Sequence, residues 1–177
     1  MQRLVIIRGN SGSGKSTVAK SLQYKMGYQT MLIPQDIVRR EMLRVRDKED
    51  NPSIQLVYDL AMYGNRIGYD VIVEGIFVGE RYGDMLRKLI DDFLGEVYVY
   101  YFDIPIEVTL ERHVSKPNAH EFGEKELREW WVEKDYLNMP QEKMIPASLN
   151  EEEILEMFVD DMKITTTRSH ANYVTKS

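Results

Sequence analysis

Gly9, Gly14, Lys15 and Ser16 stand at the spacing G-x-x-x-x-G-K-S within VIIRGNSGSGKSTVAK, residues 5–20. Gly9, Gly12 and Gly14 crowd into one short turn, more than a tight turn requires. Glycine lets the backbone curl until several N–H groups point inward, and such a concavity holds phosphate oxygens. The first turn of a following helix adds free N–H groups and a positive dipole end. Lys15 can place an ammonium between β- and γ-phosphates, the Ser16 hydroxyl can ligate Mg²⁺, and Thr17 can reach an α-phosphate. Asn10, Ser11 and Ser13 fill the rest of the wrap. The alternative is a flexible glycine-serine turn. The β-branched run before the stretch and the helical spacing after it favour the cradle, because the motif needs a strand on one side and a helix on the other.

Transfer of a phosphoryl group to a hydroxyl asks for positioning, neutralised charge and an acceptor for the hydroxyl proton. Asp36, Arg39 and Arg40, in QDIVRREMLR, lie within one helical turn of each other and bring both signs of charge together. Asp36 also suits the N-cap of that helix, a use compatible with chemistry. Glu74 closes VIVEG, and Asp103 closes YYFD just ahead of Pro105, where it suits a helix cap.

The elements that must position these residues follow from periodicity. Short apolar runs at 5–7, 28–33, 71–73, 97–102 and 143–147 read as strands. Between them, helical spacing covers 16–26, with Gly27 as a stop, then 36–46, 51–63 behind Asn51-Pro52, 85–93 and 105–112. Residues 124–137 resume helical character after a polar stretch, and Ser148 with Glu151 has capping-box spacing before a final helix. Strands alternating with helices predict a parallel sheet covered on both faces. Ligands of such sheets sit beyond the carboxyl ends of the strands, here Gly9, Pro34, Glu74 and Asp103. Trp130 and Trp131 read first as core packing, with the floor of an acceptor pocket as the alternative for one of them.

The chain of 177 residues suits one domain, 1–164, with a polar tail at 165–177. It has no cysteine, no apolar run long enough to span a bilayer and no secretory leader, so the expected location is cytoplasmic. A net charge of −6 and a pI near 5.2 argue against broad capture of nucleic acid, while a local basic pocket for a small anion stays open. His113, His120 and His170 show no metal-ligand spacing.

The segment RGNSGSGKST resembles the Walker A loop of P-loop kinases. Over residues 1–162 the order of elements is similar to the small phosphotransferases grouped with zeta-toxin-like, chloramphenicol-phosphotransferase-like and polynucleotide-kinase-like proteins. The resemblance implies a five-stranded parallel core in the order 2-3-1-4-5, a helical lid at about 113–137, and Mg-ATP-dependent transfer to a hydroxyl of a small-molecule acceptor. It implies Asp36 as the base, with Arg39 or Arg40 on the acceptor. Glu74 takes the Walker B place and would hold Mg²⁺ through water or touch the acceptor, although many such residues are Asp. Arg112, Lys116 and Arg128 are the lid cations that would close over the phosphates, or else surface charges. The helix near the lid and the loop 146–150 would hold adenine. A GTPase switch would need N-K-x-D, which the chain lacks. A polynucleotide-end kinase and a nucleotide binder without acceptor chemistry remain alternatives. The expected assembly is a monomer or weak homodimer.

Overall fold

Apolar runs with no polar face have to be covered on both sides, and parallel strands joined by helices achieve this. In the computed structural model, which describes residues 1–114 and 124–164 except the side chains of 112–114, the runs become five parallel strands: β1 (Arg3–Gly9), β2 (Thr30–Pro34), β3 (Asp70–Gly75), β4 (Glu96–Asp103) and β5 (Glu142–Pro146). Their order is β2-β3-β1-β4-β5, the order expected. β1 is central, pairing β3 from Leu4↔Val71 to Arg8↔Gly75 and β4 from Arg3↔Glu96 to Gly9↔Phe102. Leu4, Val5, Ile6 and Ile7 are fully buried.

The two-residue period of β1 divides the core. Leu4 and Ile6 face one layer, with Val71, Val73 and Val99, under helices α2 (Ser53–Arg66) and α3 (Gly79–Asp92). Val5 and Ile7 face the other, with Ile72, Tyr100 and Phe102, under α1 (Lys15–Met26) and α6 (Glu151–Asp161). Tyr100 stacks on Phe158 of α6 at 3.7 Å between ring centroids. Helices α4 (Ile106–Val114) and α5 (Glu124–Trp130) flank a segment outside the described residues, which contains Lys116 and His120; the tail 165–177 with His170 also lies outside. Among the described residues no helix is long and apolar enough to cross a membrane.

Several local expectations need correction. The capping box belongs to Asn150 and Glu153, not Ser148 and Glu151: Asn150 Oδ1 accepts the Glu153 amide at 3.0 Å and Glu153 accepts the Asn150 amide at 2.8 Å. Asp103, expected as a helix cap, accepts the Tyr136 hydroxyl at 2.8 Å. The run 36–46 is shorter and wider than an α-helix, a π-helical turn over Ile37–Met42. Helix α5 stops at Trp130 rather than 137, because the residues beyond it give their polar groups to the end of β1.

Arg8 organises that end. It is fully buried, pairing Asp135 at 2.8 Å and Glu142 at 3.1 Å, and donating to the carbonyls of Phe77 at 2.9 Å and Asp135 at 2.5 Å. Its guanidinium lies 5.2 Å from the Tyr101 ring centroid. Phe77, also buried, sits at φ +46, a costly region for an aromatic residue. Arg8 holds its carbonyl and Gln35 Oε1 receives its amide at 3.1 Å, so the conformation is fixed from both sides. Replacing Arg8 by Met should strand the buried carboxylate of Glu142 and cost about 3–5 kcal/mol of stability, measured by urea unfolding. A loss under about 1 kcal/mol would show that the network is dispensable.

Candidate active site

The glycine-rich loop, the expected phosphate cradle, begins where β1 runs out. Gly9 sits at φ +141 with a would-be Cβ 2.8 Å from the Phe102 carbonyl oxygen, so both conformation and space exclude any other residue. Gly14 sits at φ +102 in open space, so there the requirement is conformational alone. It lets the chain turn sharply into α1, whose opening amides at Lys15, Ser16 and Thr17 lack intrahelical partners. Lys15, buried to 6% exposure, lays its Nζ across the loop onto the Asn10 carbonyl at 2.6 Å and Ser13 Oγ at 3.1 Å. The ammonium is thus held over the concavity by loop oxygens.

Ser16 and Glu74, 58 residues apart in sequence, meet because β3 lies beside β1. Ser16 Oγ donates to Glu74 at 3.0 and 3.2 Å. Burial pushes the Glu74 carboxyl above its ordinary value near 4.5; Lys15 and Ser16 pull it down and the charge of Asp36 adds to the rise. A desolvated carboxylate facing a hydroxyl, with too little positive charge around it, is an oxygen donor set suited to a hard divalent cation. The residues present therefore fit Mg²⁺ at this point, and the inward-facing cradle fits a triphosphate.

Asp36 does not cap its turn: no side-chain bond to the backbone forms, and its φ and ψ are already helical. Its carboxylate instead pairs with Arg39 at 3.0 Å and Arg40 at 4.0 Å. These three side chains open onto a cleft of about 710 Å³ that also reaches Ser11, Gly12 and Ser16. The cleft thus joins the phosphate loop to the second carboxylate. Its other walls were not foreseen. Arg81 and Asp47, paired at 3.2 Å, line it from α3 and the loop after the π-helical turn, and Tyr82 donates to Asp47 at 2.7 Å behind them. Only the pairing across separate elements marks them, which spacing in the sequence does not show.

The α5 side supplies Leu127, Glu129 and Trp130. Trp130 is 54% exposed and does not pack in the core as expected. Arg128 is not among the cleft residues; its guanidinium pairs with Glu124 at 2.7 Å on the surface of the helix. Arg112 lies on α4 three residues beyond Thr109, which lines the cleft, and its side chain is outside the described residues.

The raised pKa of Glu74 has a testable sign. An acid whose folded pKa lies above its unfolded value costs stability as pH rises past the unfolded value, and the cost is complete above the folded one. Glu74→Gln should therefore raise the Tm of the ligand-free protein at pH 7 and leave it unchanged near pH 4. Parallel melting profiles of the two proteins from pH 4 to 8 would refute the burial argument.

Residues 4–132 match the model of the AAA domain family. No curated protein sequence matches the chain significantly. Among solved structures it is similar to an unliganded sugar kinase from Janibacter sp., 18% identical over 94% of this chain and 97% of that one, with a TM-score of 0.69. It is similar to the Mycobacterium tuberculosis APS kinase solved with AMPPNP and APS, 19% identical over 92% and 98%, TM-score 0.67. A gluconokinase from Sinorhizobium meliloti is 18% identical over 90% and 94%, TM-score 0.64. At such identities the likeness establishes the architecture, and the family match together with the loop geometry leads to one conclusion: the chain belongs to the AAA domain family and has the fold of the small P-loop kinases.

Proposed function

We propose that this protein transfers the γ-phosphoryl group of Mg-ATP to a hydroxyl of a small-molecule acceptor. One observation carries the reading: a single cleft connects the loop residues Ser11, Gly12 and Ser16 with Asp36 and its two arginines. A pure nucleotide switch has no use for a carboxylate at the far end of that cleft. The sugar kinase, gluconokinase and APS kinase with similar folds agree with a small acceptor.

Bound Mg-ATP supplies the transferable phosphoryl group and the cation that draws charge off it. The amides of residues 9–17 and Lys15 Nζ would hold the phosphate tail, and Ser16 with Glu74 would hold Mg²⁺, the carboxylate through water. Among the described residues no group of three acidic or histidine side chains forms a ready metal nest, so the remaining ligands would come from phosphate and water. Asp36 would orient the acceptor hydroxyl and take its proton as that oxygen bonds the γ-phosphorus and the bond from the γ-phosphorus to the ADP oxygen breaks. Arg39 and Arg40 keep Asp36 in place and hold an anionic or hydroxyl-rich part of the acceptor. Arg112 on α4 would neutralise the phosphates together with the lid cations Lys116, which lies outside the described residues, and Arg128 on α5, the lid being the stretch at about 113–137. The net charge of −6 speaks for a small acceptor over a nucleic acid end, and the lack of cysteine suits a cytoplasmic enzyme.

Purified protein with Mg-ATP and a panel of sugars, nucleosides and hydroxy acids, followed by ADP release and product mass, tests the reading. Lys15→Ala should abolish turnover. Asp36→Asn should lower kcat by about 10²–10⁴-fold, the range for a general base, with nucleotide affinity retained. Transfer at wild-type rate by the Asp36→Asn protein would rule out the base assignment.

A further inference from the structure

Asn10 does more than occupy a place in the phosphate loop. The residue is buried to 7% exposure. Both ends of its amide engage a single residue far along the chain: Nδ2 donates to the Val132 carbonyl at 2.7 Å, and Oδ1 accepts the Val132 amide at 3.1 Å. Two bonds to one residue fix orientation as well as distance. Val132 lies two residues beyond the end of α5, the helix that brings Leu127, Glu129 and Trp130 to the cleft. The Asn10 carbonyl, meanwhile, receives Lys15 Nζ at 2.6 Å. One residue thus touches the phosphate-binding ammonium with its backbone and the root of the opposite cleft wall with its side chain.

A second pin lies three residues further on. Asp135 pairs with Arg8 at 2.8 Å and accepts the Gly79 amide at 2.9 Å, and the Asp135 amide donates to the Tyr101 hydroxyl at 3.2 Å. This pin joins the segment to the sheet and to α3. The Asn10–Val132 clip is a direct link, among the described residues, between that loop and the residues that follow α5.

We propose that Asn10 is a positioning residue which couples occupation of the phosphate loop to the placement of α5 across the cleft. A phosphate tail drawing Lys15 Nζ away from the Asn10 carbonyl changes the load on that peptide. Its side chain passes the change to Val132 and so to Trp130 and Glu129, which face the acceptor. The proposal rests on the phosphotransferase reading for its ligand, but the clip itself can be tested without it.

Hydrogen exchange on the full chain, with and without Mg-AMPPNP, makes the test. Without nucleotide, Asn10→Ala should speed exchange of the Val132 amide at least about tenfold, as expected for loss of a buried hydrogen bond worth roughly 1.4 kcal/mol or more. With nucleotide, wild type should gain protection over 124–132, and Asn10→Ala should still bind, with calorimetric Kd weakened, yet gain no protection there. Asn10→Asp, which keeps the acceptor for the Val132 amide but loses the donor, should fall between. In a Val132→Pro background, which lacks that amide, the Asn10→Ala effect on Kd should shrink below about twofold. Unchanged Val132 exchange in folded Asn10→Ala overturns the clip whatever the nucleotide does. Equal protection of 124–132 in both proteins overturns the coupling. Failure of wild type to bind Mg-AMPPNP, with the exchange difference present, overturns both the coupling and the phosphotransferase reading, while the clip survives as a structural pin.

Discussion

The Phe102 carbonyl stands where a Cβ of Gly9 would have to be, and this contact sets the geometry of everything beyond it. The central strand reaches the carboxyl edge of the sheet without room for a side chain. It must then turn at once, through Gly14 at positive φ, into α1. The turn leaves the opening amides of that helix facing the same point as Lys15. The phosphate recognition proposed for this loop would thus rest mainly on backbone direction, with the side chains refining it.

Around this turn the protein places charges that would be costly alone. Glu74 is buried and disfavoured as an anion, held by Ser16 and Lys15. Arg8 is buried with two carboxylates and two carbonyls. The two differ in a telling way. Arg8 is satisfied by the fold at all but its Nε, and it ties β1, the loop after β3 and the residues following α5 into one unit. Glu74 is under-compensated by the fold, since burial outweighs Lys15 and Ser16, and this suits the cation site proposed for it. One charge is compensated and the other is not, at the carboxyl ends of the neighbouring strands β1 and β3.

The opposite side of the cleft follows another logic. Asp36, Arg39 and Arg40 stand on a π-helical turn, and Asp47 and Arg81 come from elements that meet only in the folded chain. Their pairing keeps each charged group oriented without burying it deeply. Such a surface can change its side chains without disturbing the sheet.

The loop from Gly9 to Thr17, the alternation of strands and helices, and the carboxylates at strand ends were legible in order of residues, because each depends on local conformation or on periodicity. Strand order agreed with the resemblance, since the same alternation admits few right-handed arrangements. Where local signals competed, reading failed. Ser148 and Asn150 both suit a cap, and only the packing of α6 selects the second. Trp130 looks like core and stands exposed on the cleft. The roles of Arg8, Asn10, Asp135 and Arg81 were invisible, because each is defined by partners between 34 and 134 residues away. Sequence by itself determined the glycine-rich turn between β1 and α1 and the layered sheet, whose causes lie within a few residues of each atom concerned. Tertiary structure alone decided which charges are buried, which are paired and what walls the cleft, since burial and pairing are properties of neighbours that the chain supplies only when folded.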